Sequence, residues 1–465
     1  MKKTESLREN PLGYERVGKL ILKFSIPAIA SNLLNAIYNI VDQIFIGHGI
    51  GYDGIAATSI AFPLVTIVSA VAIMLGVGCA SSFNLNLGAD NRERAEKMAG
   101  TGLSVMVLAG LALMTVFLLF LAPFLRMFGA TNEIMDLSMD YTSIVVLGIP
   151  FQVITIGVSH LIRADGSPNW AMISMMSGAV FNFIFDPVFM FGFGWGIKGI
   201  AWATTLGHLL SAIMSLSYIV RGMKAVTLTK KLLIPKLGNI KTICALGLAG
   251  FSNQIAMSLV NIVLNNTLRY YGDLSVYGST VALGAVGAIS RISMIFISCV
   301  VGLGQGAQPI YSFNYGARNY SRVSETLKRV LFFNIAIATT FFALFQLFPR
   351  PIIGIFGTGS EQYFEFATRY LRIFMFMTFT NGLQPSAASY FTATGRAKMG
   401  IFISLTRQLI FLIPLLLILP IFHGLDGAMF AGPIADVVAA SLSIVIFSRE
   451  FKKLKNAVRL PDNEA

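Results

Sequence analysis

The chain has 465 residues, 55% of them apolar and only 12% charged, with a mean hydropathy of +0.72 and a formal charge of +13. Soluble domains carry about 25% charged residues, so this composition excludes a water-soluble globule and predicts a protein that crosses the bilayer about a dozen times, at about 20 residues per span. Cys79, Cys244 and Cys299 are scattered through apolar runs, which excludes a disulfide framework and offers no metal-ligand spacing.

Residues 1–23 are polar and basic, and the first apolar run is too long for the core of a signal peptide, so no cleaved leader is expected. Turn signals divide the chain into twelve spans, at 16–47, 53–84, 95–122, 136–163, 169–190, 197–220, 241–271, 278–314, 322–348, 363–392, 397–420 and 427–449. With a cytoplasmic N-terminus, 27 of the 35 Lys and Arg fall in cytoplasmic tails, loops and adjoining span ends. The opposite side holds only Arg126, Lys198, Arg269, Arg350, Arg369 and Arg372, while Arg291 and Arg407 lie inside spans. That asymmetry follows the positive-inside rule and predicts both termini in the cytoplasm. The basic charge is then a topology device, and no nucleic-acid partner is expected.

The second half repeats the first. Gly76-Val77-Gly78 and Gly88-Ala89-Asp90-Asn91 recur 228 residues later as Gly304-Gln305-Gly306 and Gly316-Ala317-Arg318-Asn319. At an offset of 228–229, Phe128-Gly129 matches Phe356-Gly357, Tyr141 matches Tyr370, Ala164-Asp165-Gly166 matches Ala393-Thr394-Gly395, and Gly199 matches Gly427. Six spans per half give both halves the same orientation, and such parallel repeats enclose a substrate path between two lobes. The predicted fold is an all-α membrane protein of twelve transmembrane helices in two pseudo-symmetric six-helix lobes around a central cleft. Residues 1–223 form the first lobe, 224–240 a cytoplasmic linker, 241–450 the second lobe and 451–465 a cytoplasmic tail. Gly76, Gly78, Gly302, Gly304 and Gly306 allow close helix approach and have no phosphate-loop context. The corners at Arg92-Glu93-Arg94 and at Arg318, Arg322 and Glu325 read as snorkelling surface turns.

Within the apolar run of the fifth span stands Asn182-Phe183-Ile184-Phe185-Asp186-Pro187. A carboxylate in hydrocarbon costs at least about 2.5 kcal/mol on insertion scales, so Asp186 must face something other than lipid. Asn182 lies one helical turn before it on the same face, and Pro187 frees the carbonyl of Phe183. Asp42, five residues before Gly47, and Thr204, five residues after Gly199, lie at the same depth as Asp186, roughly 8–10 Å below the outer end of their helices. Asn35, Tyr38 and Asp42 form one polar stripe on the first span. These groups offer only oxygen ligands, which suit a hard cation, and two neighbouring acids also favour holding a proton. The plainer alternative is that Asp42 or Asp186 caps a helix or pairs with a buried base, but the first half has no Lys or Arg at that depth.

The second half lacks this cluster. Asp42 aligns near Leu264, Asn182 with Phe411 and Asp186 with Leu415, and the second half carries Arg291, Arg407 and Asp436 inside its spans instead. A salt-bridged structural set is expected there, because buried charges need partners. His160 and His208 are isolated, and Met172, Met175 and Met176 read mainly as packing, although methionine-lined walls also suit varied ligands.

Two six-span lobes, Pro27 followed by Asp42, Asn182-x-x-x-Asp186-Pro187 and Gly199-x-Ala-x-Ala203-Thr204 together resemble the multidrug and toxic compound extrusion (MATE) family. The run from Phe181 to Gly192 is similar to its bacterial MepA-like branch. The resemblance covers essentially the whole chain. It implies an antiporter of the bacterial inner membrane, not an enzyme and without a cofactor, that exports amphipathic organic cations in exchange for Na⁺ or H⁺. By position it assigns Asp42, Asn182, Asp186 and Thr204 to the coupling ion and Pro27 to a bending point of the first span. Asn35, Tyr38, Gln152 and Met176 are the candidates for the substrate cleft. Small-molecule drugs and the lipid bilayer are the expected partners, and the chain is expected to act as a monomer. Arg291 and Arg407 depart from the acids that some family members carry in the second lobe and leave the charge of the substrate open. They also give footing to a second reading, a lipid-linked oligosaccharide flippase of the same architecture. A diphosphate-binding intramembrane enzyme needs clustered acids for Mg²⁺, and only Asp136 and Asp140 approach that pattern.

Overall fold

The structure is a computed structural model that describes residues 10–355 and 360–459. The repeat anchor Phe356-Gly357, residues 1–9 and the last residues of the predicted tail lie outside the described residues. The first half contains α1 (Pro11–Tyr14), α2 (Val17–Gly49), α3 (Tyr52–Gly88), α4 (Arg92–Leu119), α5 (Leu121–Met127), α6 (Asn132–Leu147), α7 (Ile149–Ala164), α8 (Pro168–Pro187) and α9 (Ile197–Arg221). The second half contains α10 (Leu237–Asp273), α11 (Gly278–Gly316), α12 (Tyr320–Leu347), α13 (Pro349–Gly354), α14 (Glu361–Phe374), α15 (Leu383–Ala393), α16 (Ala397–Leu405) and α17 (Ile413–Arg459).

Twelve crossings follow from these helices, as the sequence predicts, but four of them are built differently. The fourth is broken: α6 and α7 meet at 49°. Pro150, in the first turn of α7, cannot continue the hydrogen-bond ladder of α6. The tenth is broken likewise between α14 and α15, with a tight turn at Thr378–Thr380. The last two crossings form one continuous helical path, folded back at Gly424 with φ 56°. The first crossing also extends past its predicted end at residue 47 to Gly49, so Asp42 sits slightly deeper than expected.

The repeat is written in the turns as well as in the spans. Asp90 and Arg318 adopt φ of 60° and 54°, Gly166 and Gly395 of 83° and 82°, and Gly196 and Gly424 of 56° each. Asn91 and Asn319 cap the helices that follow, accepting the backbone N–H of Arg94 at 3.0 Å and of Arg322 at 3.4 Å. Equivalent residues thus take equivalent strained or capping roles, which a chance similarity of apolar runs would not produce.

The lobes meet along a seam in the half of the bundle that carries the first and last described residues and most of the Lys and Arg, here called the basic end. A Cβ on Gly88 would lie 2.0 Å from the carbonyl oxygen of Phe313, and one on Gly316 would lie 2.1 Å from that of Leu85. These two contacts are repeat equivalents, so a pseudo-twofold axis runs between α3 and α11. The same symmetry sets α2 against α11 and α10 against α3, where Gly306 approaches Ser25 and Gly78 approaches Ile243. Ser25 donates to Leu303 O at 3.3 Å, and Gln308 donates to Ser81 at 2.8 Å. Residues 302–314 of α11 are all buried apart from half-buried Gln305, whereas exposed positions recur every third or fourth residue from 280 to 297. The bundle is therefore sealed at the basic end and looser toward the far end.

The linker between the lobes lies on the first one. Asp165 accepts hydrogen bonds from Tyr218 Oη at 2.6 Å and from the backbone N–H groups of Lys224 and Ala225 at 2.7 and 2.9 Å. Ser104 of α4 then binds Leu233 O at 2.5 Å.

Backbone contact at the seam leaves no room for a side chain. Gly88→Val is expected to lower stability by about 1–3 kcal/mol through overpacking, read as a drop in the thermal midpoint of the detergent-purified protein. Gly238→Val, where an added Cβ meets nothing within 4 Å, should stay within about 0.5 kcal/mol of the parent.

Candidate functional site: a carboxylate pair inside the first lobe

The site is assembled from α2, α8 and α9. Along α8, Asn182 and Asp186 lie one turn apart and project to the same side. Asn182 Nδ2 donates to Asp186 Oδ1 at 3.0 Å and to Thr204 Oγ1 of α9 at 3.2 Å. Opposite them, the Asp42 carboxyl of α2 faces that of Asp186 at close range. Asp42, Asn182 and Asp186 are 8%, 3% and 0% exposed. The four residues that depth and resemblance single out are thus brought together. Pro187 ends α8, and the chain widens into a π-turn over Val188–Gly192 before reversing toward α9. Irregular turns of this kind are frequent beside functional sites.

Two carboxylates at this separation cannot both be charged and unneutralised in a low-dielectric interior. No Lys or Arg among the described residues contributes to the environment of either acid. Among the described residues, Asp42 Oδ1, Asn182 Oδ1 and Asp186 Oδ2 are buried without a hydrogen-bond partner. A shared proton or a small hard cation supplies what this arrangement lacks, since every donor atom is oxygen. The described residues contain no group of three or more His, Cys, Asp or Glu able to hold a metal.

Two tyrosines complete the surroundings. Tyr38, one turn before Asp42, and Tyr141 of α6 both stand close to the Asp42 carboxyl. Tyr38 is expected from the stripe on the first span. Tyr141 enters the sequence reading only as a repeat anchor. Its counterpart Tyr370 is fully buried, whereas Tyr141 is half-buried, and nothing in the spacing of Tyr141 from Asp42 reports their proximity.

The other sequence candidates take separate places. Asn35 lies further along α2 and pairs with Asn39, whose Nδ2 donates to Asn35 O at 2.7 Å and to its Oδ1 at 3.1 Å. Gln152 is buried inside the first lobe, donating to Ser69 at 3.2 Å. Met176 is half-buried on α8, nearly three turns from Asp186 in the direction of the basic end. Pro27 lies buried within α2, which continues through it without a break. Asp140 pairs with Lys198 at 3.1 Å at the far end, and both are exposed.

In the second lobe the expected salt-bridged set is only partly formed. Arg407 Nε donates to Asp436 Oδ1 at 2.5 Å. Arg291 is not part of it. The guanidinium stem belongs to the exposed face of α11 and lines a cavity of about 270 Å³ with Gln43, Gly47 and His48 of α2. Arg407 aligns with Gly178 at an offset of 229, where α8 and α9 touch so closely that a Cβ would lie 2.3 Å from Gly207 O. An arginine at the equivalent crossing cannot be packed that way. The helix opens into a π-turn over Thr406–Leu412, and the long side chain spans the gap to Asp436.

A two-lobe bundle of twelve crossings with an oxygen-lined site inside one lobe defines a membrane transporter built on a parallel repeat. The chain belongs to the MATE family: the MatE family model matches residues 27–188 and 251–418. It is 26% identical over 431 residues to the multidrug export protein MepA of Staphylococcus aureus (strain MSSA476), covering 92% of this chain and 93% of that protein. Among solved structures, a MATE protein in complex with MaL6 superposes with a TM-score of 0.88 at 23% identity, covering 98% of this chain and all of that one. An outward-facing multidrug resistance MATE family transporter of the MOP superfamily superposes equally well, with a TM-score of 0.88 at 22% identity, 98% of this chain and 99% of that one.

Because one amide ties α8 to α9 and orients Asp186, Asn182→Leu should remove the ordering of the carboxylate pair without emptying the interior. The parent is expected to shift its thermal midpoint on adding Na⁺ or changing pH, and Asn182→Leu is expected to lose that shift. A retained shift of parental size would mean that the amide plays no part in the site.

Proposed function

We propose that this protein is a multidrug efflux antiporter of the bacterial inner membrane, exporting amphipathic cationic organic compounds in exchange for Na⁺ or H⁺ by alternating access. The observation that carries the reading is the meeting of Asp42 and Asp186 without a basic partner. Such a pair stays charged only with a cation beside it and neutral only with protons on it. A ligand drives a conformational change only through different affinity for the two states, and a site shared by α2, α8 and α9 changes shape when those helices move. Similarity to the multidrug export protein MepA supports the export of drugs, and the exposed, partly apolar inner face of α11 supports amphipathic substrates. Charge placement supports termini in the cytoplasm, and the chain is taken to work as a monomer.

The sealed basic end is then the cytoplasmic gate, and the structure corresponds to the state that receives the coupling ion from outside. Moving one charge across 100 mV is worth about 2.3 kcal/mol, enough to shift a two-state ratio about fiftyfold. The flippase reading loses footing, because Arg407 is committed to Asp436 and leaves Arg291 as the one basic group of the pair facing α2.

Asp186→Asn should keep the fold and abolish gradient-driven drug efflux from inside-out-loaded vesicles, with residual transport at least tenfold below the parent. Running the parent with an imposed Na⁺ gradient and, separately, an imposed pH gradient identifies the ion. Undiminished efflux by Asp186→Asn would remove the carboxylate pair from the mechanism.

A further inference from the structure

The stretch before the first crossing does not rest on the lobe to which it belongs by sequence. Asn10 caps α1, accepting the backbone N–H of Leu12 at 3.0 Å, and Pro11 stands at its first position. Leu12 is buried, with 2% exposure. A four-residue helix leaves most of its carbonyls without an internal partner, and the second lobe takes one of them and that of the cap residue Glu15. Leu12 O accepts from Asn314 Nδ2 of α11 at 2.9 Å and from Arg322 Nη2 of α12 at 3.2 Å. The same guanidinium nitrogen donates to Glu15 O at 2.7 Å. Lys23 of α2 holds the Glu15 carboxylate at 3.6 Å. Beyond the strap, a Cβ on Gly18 would lie 2.9 Å from Arg329 Nη1 of α12.

Glu15 and Arg16 alone join α1 to α2, and two residues reach at most about 7 Å. The strap must therefore travel with the first lobe, while its partners Asn314 and Arg322 travel with the second. No separation of the basic halves of α3 and α11 leaves these hydrogen bonds intact. We infer that residues 10–16 form a latch between the lobes that holds the basic end shut and must detach from Asn314 and Arg322 each time that end opens. The inference rests on the two-state transport reading. The latch differs in kind from the seam beneath it: the seam is a fit of backbones that opens as soon as the helices part, whereas a guanidinium bridging two carbonyls is a charge-assisted contact that must be broken first.

The test compares the full-length parent with Leu12→Ser, Arg322→Gln and Arg322→Lys by hydrogen–deuterium exchange in detergent. Peptides covering residues 77–88 and 303–316 report the seam, and peptides covering 178–190 report the ion site. Leu12→Ser and Arg322→Gln are expected to speed exchange at the seam about tenfold or more and to leave the ion-site peptides and the circular-dichroism spectrum at parental values. Arg322→Lys, which keeps the charge but not the fork, should fall between them and the parent. Parental seam exchange in both Leu12→Ser and Arg322→Gln would overturn the latch and reduce the strap to a passive cover. A parent seam that ignores pH, Na⁺ and tetraphenylphosphonium, beside variants that do speed exchange, would overturn the two-state reading and leave the latch standing.

Discussion

Two carboxylates facing each other inside a bilayer-spanning lobe is an arrangement that the rest of this fold has to accommodate. Asp42 and Asp186 come from helices far apart in sequence, and among the described residues nothing basic lies between them. Breaking the balance of a buried charge is worth several kcal/mol, so their state is tied to whatever neutralises them. Asn182 spends its two amide hydrogens on Asp186 and Thr204, which fixes α8 against α9 and turns its own oxygen toward the same interior. The site is thus one rigid wall, made by α8 and α9, facing a single carboxylate on α2. α2 is also the helix that packs on α11 across the seam and carries the strap. Of the elements that touch the carboxylate pair, α2 alone extends to the inter-lobe contact at the basic end, so binding at the pair and closure of the seam act on one helix.

The two halves of the bundle are held by different physics. At the basic end, glycines bring backbones to a distance at which no side chain fits, and dispersion over a long contact does the holding. Toward the far end, exposed positions recur along α11, and Arg291 reaches toward Gln43 and His48 across a cavity. A contact made by backbones is either fully formed or absent, because a packed interface is bistable and does not deform continuously. Moving such an interface from nearly closed to nearly open takes about 5.5 kcal/mol of differential binding. That is more than one charge crossing 100 mV supplies, so on the antiport reading the ion and the substrate must share the work.

The number of crossings, the parallel repeat and the first-lobe site were legible because each leaves a one-dimensional trace. Apolar runs count spans, identical turn residues mark the repeat, and equal distance from a turn puts Asp42, Asp186 and Thr204 at one depth. What escaped is what depends on direction around a helix or on pairs from different lobes. Depth said nothing of Tyr141, whose helix approaches Asp42 only through the fold. It also grouped Arg291 with Arg407 and Asp436, although Arg291 points toward the opposite lobe. The break at Gly148 was hidden because the residues on either side are as apolar as an unbroken span, and only Pro150 hinted at it.

The inequality of the lobes has a structural consequence beyond the missing acids. At one crossing the first lobe has Gly178 against Gly207, and the second has Arg407 reaching Asp436. A glycine contact lets α8 and α9 pack to the limit of their backbones and holds Asn182 and Thr204 at bonding distance. The ion pair holds its helices further apart, and the π-turn over Thr406–Leu412 takes up the difference. Placing Asn182 and Asp186 equivalents on the wider crossing would not recreate the first-lobe site, since the amide could no longer reach both an acid on its own helix and a hydroxyl on the next. Repeat symmetry in this chain governs the seam, where both lobes must match. It lapses inside the lobes, where one crossing is built tight enough to order a carboxylate pair and the other is not.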